Sequence, residues 1–90
     1  MITLFIRHDV EDFDTFKKGY DGLKPVRDSL GVLEDAIYRE VGNDNNLTVT
    51  HTFASKETVD QFLASTELQA AVNELGVRDE SFTAVITEHV

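Results

Sequence analysis

Ninety residues with 17 Asp and Glu against 8 Lys and Arg carry a formal charge of −9, and none of the ninety is cysteine. Such a charge disfavours nucleic acid and anionic membrane surfaces as partners, since both are held through Lys and Arg; the missing thiols exclude disulfides, thiolate metal sites and cysteine nucleophiles. The length fits one domain, residues 1–90, with a modest core, and 41% hydrophobic with 28% charged residues is an ordinary globular composition. No apolar run is long enough to span a bilayer, and the first residues lack a basic segment leading into an apolar one, so a cytoplasmic location is expected.

In chain order, Ile2–His8 alternates with period two, Ile2, Leu4 and Ile6 on one face and Thr3, Phe5 and Arg7 on the other. Large side chains on both faces predict a central strand. Asp12 is a candidate helix N-cap, and Glu11, Asp12 and Asp14 suit the positive end of a helix dipole better than an acid/base pair. Phe13, Phe16, Tyr20, Leu23 and Leu30 then form one helical stripe, read as core. Gly19, Gly22 and Pro25 predict a break between Asp21 and Pro25, and Gly31 a stop.

Asp35–Phe53 holds the organising feature, two β-favouring runs, Ala36–Val41 and Leu47–Phe53, around Gly42-Asn43-Asp44-Asn45-Asn46. The insert is turn chemistry and predicts a hairpin. Pairing Val41 with Leu47 sets Arg39 against Val49, Ile37 against His51, Tyr38 against Thr50 and Ala36 against Thr52. This register gathers Ile37, Val41, Leu47, Val49 and Phe53 on one apolar face and Thr48, Thr50 and Thr52 on the other. Ser55 caps the next helix, and Thr66 with Gln69 reads as a capping box restarting it towards Gly76. An acidic loop, Val77–Ser81, precedes a last strand, Phe82–Val90.

The order is β-α-β-β-α-β, a ferredoxin-like α+β fold with a four-stranded antiparallel sheet and two broken helices on one face. The other face stays open and presents Phe5, Arg7, Tyr38, Thr50, Thr52 and Val85. A surface this apolar marks an interface or a ligand groove. A homodimer through the open sheet face would cover it.

ITLFIRHDVEDFDTFKKGYD, AIYRE and LTVTHTFASKETVDQFLASTELQAAVNELGV together resemble the dimeric α/β-barrel superfamily that includes the antibiotic-biosynthesis monooxygenases. The passage from strand three into its capped helix, TFASKETVDQFLAS and ELQAA, is the most telling piece. The resemblance implies a homodimer with a ligand inside the barrel. The chemistry of such proteins ranges over cofactor-free oxidation of polyketide-like aromatics, haem degradation and lactone isomerisation, and fold alone does not choose among these.

The candidate ligand contacts are Phe5, Arg7, Tyr38, Thr50, Thr52 and Val85, with Arg7 and Tyr38 suited to holding a carboxylate or enolate. His8, ending the first strand, and His89, near the last residue, are expected at the surface, and His51 reads as a packed histidine. The three have no metal-ligand spacing, and neither a phosphate loop nor a nucleophile elbow appears, so no metal or organic cofactor is expected and no catalytic residue can be assigned. Two functions stay open: a small-molecule binder or monooxygenase-like enzyme acting on a compact aromatic or carbonyl compound, and a non-catalytic structural or regulatory homodimer. An RNA-binding module of the same topology is disfavoured by charge and by the absence of base-stacking aromatics on LTVTHTF.

Overall fold

A computed structural model describes residues 1–90, the side chain of Asp79 apart. The elements run β1 (Ile2–Asp9), α1 (Phe13–Gly22), α2 (Lys24–Ser29), β2 (Glu34–Glu40), β3 (Asn43–Phe53), α3 (Lys56–Ala64), α4 (Thr66–Glu74), a 3₁₀ turn (Asp79–Ser81) and β4 (Thr83–Glu88). The sheet order is β2-β3-β1-β4, every neighbour antiparallel, so β1 is central as the large side chains on both of its faces predict. This is the expected ferredoxin-like α+β architecture, with the helices on one face of the sheet. No described helix is long and apolar enough to cross a membrane.

Both helical layers break where the sequence says they must. Asp12 caps α1, accepting from the Thr15 amide at 2.9 Å and the Thr15 hydroxyl at 2.8 Å. Leu23 separates α1 from α2, leaving Pro25 in the first turn of α2, where its missing amide costs no helical hydrogen bond. In the second layer Ser55 caps α3, accepting from Thr58 at 3.3 Å. The restart differs from the expected capping box: Ser65, not Thr66, is the N-cap, accepting from the Leu68 amide at 3.1 Å. Gln69 Nε2 donates instead to the carbonyl of Leu63 at 3.2 Å.

The hairpin corrects the expected register by two residues. Arg39 faces Leu47, Ile37 faces Val49, Tyr38 faces Thr48, Ala36 faces Thr50 and Asp35 faces His51. A shift of two keeps every side chain on its face, so Thr48, Thr50 and Thr52 remain opposite in sense to Leu47, Val49 and Phe53. The turn is Val41-Gly42, with Gly42 at φ +89°, and Val41 is wholly exposed rather than part of the apolar face. Asn43–Asn46 extends β3, and a bulge leaves residues 44–46 without an opposite number on β2.

Their side chains explain why those residues do not turn. The Phe13 amide donates to Asn45 Oδ1 at 3.0 Å, Asn46 Nδ2 donates to Asp9 Oδ1 at 2.7 Å, and the Val10 amide donates to the Asn45 carbonyl at 2.9 Å. These residues tie the end of β1 and the start of α1 to β3. The last strand is shorter than Phe82–Val90, and Val77, placed in the acidic loop, bridges to Val10.

The core lies between the sheet and the helices in two clusters. One gathers Leu4, Ile6, Val32, Phe53, Val59, Phe62 and Leu68, the other Val10, Phe16, Tyr20, Leu47, Val49 and Leu75. Each large apolar side chain removed from water contributes about 2 kcal/mol before conformational entropy is set against it.

Candidate functional site

Between sheet and helices lies a cavity of about 410 Å³ lined from both core clusters, within the size range of small-molecule sites. Ile6 and Val49, a cross-strand pair, form its floor. Phe16 and Tyr20 come from α1, Arg27 from α2, Phe62 from α3, and Leu68, Val72 and Leu75 from α4 and its end. Gln69, Asn73 and Phe82 line it while exposed, which places its opening beside α4.

His8 and His51 also line this cavity. Alternation explains why: His8 continues Leu4 and Ile6, and His51 continues Leu47 and Val49, on the helical face. They retain 5% and 4% of their surface, so His8 is not at the surface as its strand-end position suggested. Aromatic rings surround both. His8 lies 5.5 Å from Phe16 and 6.4 Å from Phe82 between centroids, and His51 lies 5.1 Å from Phe62 and 6.3 Å from Tyr20.

Nδ1 of each imidazole is sealed from solvent without a hydrogen-bond partner. Burial pushes the His51 pKa down to about 4, with Asp35 opposing the shift and Arg27 adding to it. Burial also lowers the pKa of His8. The backbone and carboxylate of Asp9 partly offset that. Both rings are therefore neutral near pH 7, each with one N–H donor and one lone pair.

Beside His51 stands a connected polar group. The Tyr20 hydroxyl donates to Asp35 Oδ2 at 2.5 Å, and Arg27 Nε pairs with the same oxygen at 3.3 Å. The buried Arg27 guanidinium lies 3.7 Å over the Tyr20 ring, and its Nη1 donates to the Tyr20 carbonyl. Burial and the bond to Asp35 push the Tyr20 pKa far up, against the pull of Arg27. Tyr20 is thus a fixed neutral phenol. Among the described residues no three His, Cys, Asp or Glu side chains cluster to hold a metal ion.

The residues named from the sequence occupy the other side of the sheet. The register sets Tyr38, Thr48, Arg7 and Thr83 in one cross-strand row and Ala36, Thr50, Phe5 and Val85 in the next. Phe5, Arg7, Tyr38 and Val85 are exposed, and Arg7 Nη2 donates to Asn46 Oδ1 at 2.8 Å. Tyr38 and Thr50 are not directly opposed as the expected register had them. Thr52 lines a more open depression of about 530 Å³ with Met1, Thr3, Leu33, Glu34 and His89. The open-face set is contiguous but shares no residue with the cavity. Tyr20, Arg27, Asp35, His8 and His51 escaped the reading as site residues. Their signals were strand parity for His8, Asp35 and His51, and the seven-residue step from Tyr20 to Arg27 on a helical stripe.

No family model and no curated protein matches the chain. Solved structures do. SnoaB, a cofactor-independent oxygenase from Streptomyces nogalater, superposes with a TM-score of 0.82 at 13% identity, over 99% of this chain and 92% of that one. An antibiotic biosynthesis monooxygenase superposes at 0.77 with 13% identity over 100% and 99%. A conserved protein from Methanosarcina mazei Go1 superposes at 0.73 with 19% identity over 97% and 90%. At such identities the likeness establishes the architecture. This chain has the ferredoxin-like fold of the antibiotic biosynthesis monooxygenase structures.

Proposed function

We propose that the chain is a monooxygenase-like enzyme that takes a compact aromatic or carbonyl compound into the cavity between sheet and helices. The observation that carries this reading is the cavity itself, with two buried imidazoles on a mostly apolar wall. A purely structural dimer would have no reason to leave this space unfilled, since a cavity costs stability.

The electrostatics narrow the chemistry. A base whose conjugate acid has a pKa near 4 removes few protons at neutral pH. The cavity therefore suits a substrate that ionises readily by itself, a phenol or an enolisable aryl ketone. Imidazole N–H groups and the nearby Arg27 charge would stabilise its anion, in surroundings where such interactions are strong. The carbanion form can react with dioxygen. A C–O bond forms, and the resulting hydroperoxide loses water to leave a carbonyl where a CH₂ group stood. Dioxygen supplies both the oxygen atom and the oxidising equivalents. The likeness to SnoaB, a cofactor-independent oxygenase, supports this scheme.

The open face, with Phe5, Arg7, Tyr38, Thr50, Thr52 and Val85, would then serve chiefly to pack against a second copy. The functional test is dioxygen uptake with anthrone as substrate. Protein-dependent uptake of one dioxygen per anthrone oxidised to anthraquinone is expected; the absence of any protein-dependent uptake would contradict the reading.

A further inference from the structure

His8 and His51 lie at opposite ends of one apolar floor. Leu4 faces His51 and His8 faces Leu47, so the two histidines are four residues apart along paired neighbouring strands, with the Ile6–Val49 pair midway. At about 3.3 Å per residue and 4.8 Å between strands, their Cα atoms are roughly 14 Å apart. Both side chains point to the helical face, both line the same cavity, and both are at least nine-tenths buried. Nδ1 of each is sealed from solvent, so the ring nitrogen open to a ligand in the cavity is Nε2.

We propose that the two imidazoles hold opposite ends of a single ligand, so that the site selects a flat apolar body with a hydrogen-bonding oxygen at each end. With both side chains standing roughly perpendicular to the sheet, the ring nitrogens are spaced about as their Cα atoms are, and about 2.8 Å for each hydrogen bond leaves roughly 8 Å between the ligand's two polar atoms. Two fused rings with substituents at their far ends meet that span. Aromatic rings beside each histidine, Phe16 and Phe82 at one end and Tyr20 and Phe62 at the other, would confine the ligand ends. The assignment rests on the cavity being the ligand site, and it adds two named contacts and a length requirement.

The test compares 2,6-dihydroxynaphthalene with 2-naphthol by titration calorimetry on wild type, His8→Phe and His51→Phe. Circular dichroism checks folding, and His8→Leu and His51→Leu serve if either Phe ring overfills its place. One hydrogen bond of this kind corresponds to about tenfold in affinity. The diol should bind wild type about tenfold more tightly than the mono-ol and lose that advantage in each single variant. The mono-ol, which needs only one anchor, should change by less than about twofold in either. Equal affinity of the two compounds for wild type, or a diol affinity unchanged by one of the substitutions, would overturn the two-ended arrangement while leaving the cavity as the site. If neither compound binds wild type, the cavity reading falls and this proposal with it.

Discussion

His51 shows how a single buried side chain couples site to stability. Tyr20 and Arg27 face it from α1 and α2, Asp35 from β2, and Phe62 from α3, and burial among them, opposed by Asp35 and aided by Arg27, leaves its pKa at about 4 against an ordinary 6.5. The unfolded chain therefore binds the proton more readily than the folded one. Stability from this residue is intact above pH 6.5, falls as the pH drops below it, and levels off near pH 4. Between pH 7 and pH 5 the loss is about 2 kcal/mol, at roughly 1.4 kcal/mol per pH unit below 6.5. His8 acts in the same direction. Urea unfolding at the two pH values should show this loss in wild type and a smaller one in His51→Leu. An identical loss in both would show that His51 is not the group responsible. His51 was legible in LTVTHTF as an inward position, because it alternates with Val49 and Phe53. Its environment was not, since Tyr20, Arg27 and Asp35 come together only when α1, α2 and β2 pack.

Among the elements, the hairpin separates what the local sequence determines from what it does not. Side-chain parity was legible and survives a two-residue shift, because alternation alone fixes which face each residue takes. The register was not, because Asn43–Asn46 has turn propensity yet finds hydrogen bonds on β1 and α1, far off in sequence. The helix breaks, in contrast, were legible from Pro25, Gly22 and the Ser65 region, since those signals are local.

Gly42 and Gly22 provide a matched test of the turn. A Cβ at either would meet nothing within 4 Å, but Gly42 holds φ +89° and Gly22 ends a helix with ordinary backbone. Gly42→Ala should cost about 1 kcal/mol through backbone strain alone, while Gly22→Ala should stabilise by about 0.5 kcal/mol through the unfolded chain. Thermal unfolding of the two variants checks both signs. A neutral Gly42→Ala would place the turn elsewhere, back towards the Asn residues.

At the scale of the whole molecule, the two faces of the sheet divide the work. The helical face encloses the cavity, and the open face exposes Tyr38 on β2, Phe5 on β1 and Val85 on β4. Exposed apolar groups in such contiguity favour association. Light scattering at micromolar concentration should give twice the 10.1 kDa chain mass, and Phe5→Glu with Val85→Glu should shift it towards the monomer by adding like charge to an already acidic chain. A wild-type monomer at that concentration would remove the dimer.

The central claim is that the ligand sits on the helical side of the sheet, and a bound aromatic reports its own position. Intermolecular nuclear Overhauser effects from protons of bound 2-naphthol to labelled methyl groups separate the two faces directly. Contacts to Ile6, Val49, Leu68 and Val72 are expected, with none to Val85 or to the methyls of Thr50 and Thr52. Contacts to Val85, Thr50 and Thr52 with none to Ile6 and Val49 would put the ligand on the open face and contradict the cavity as the site.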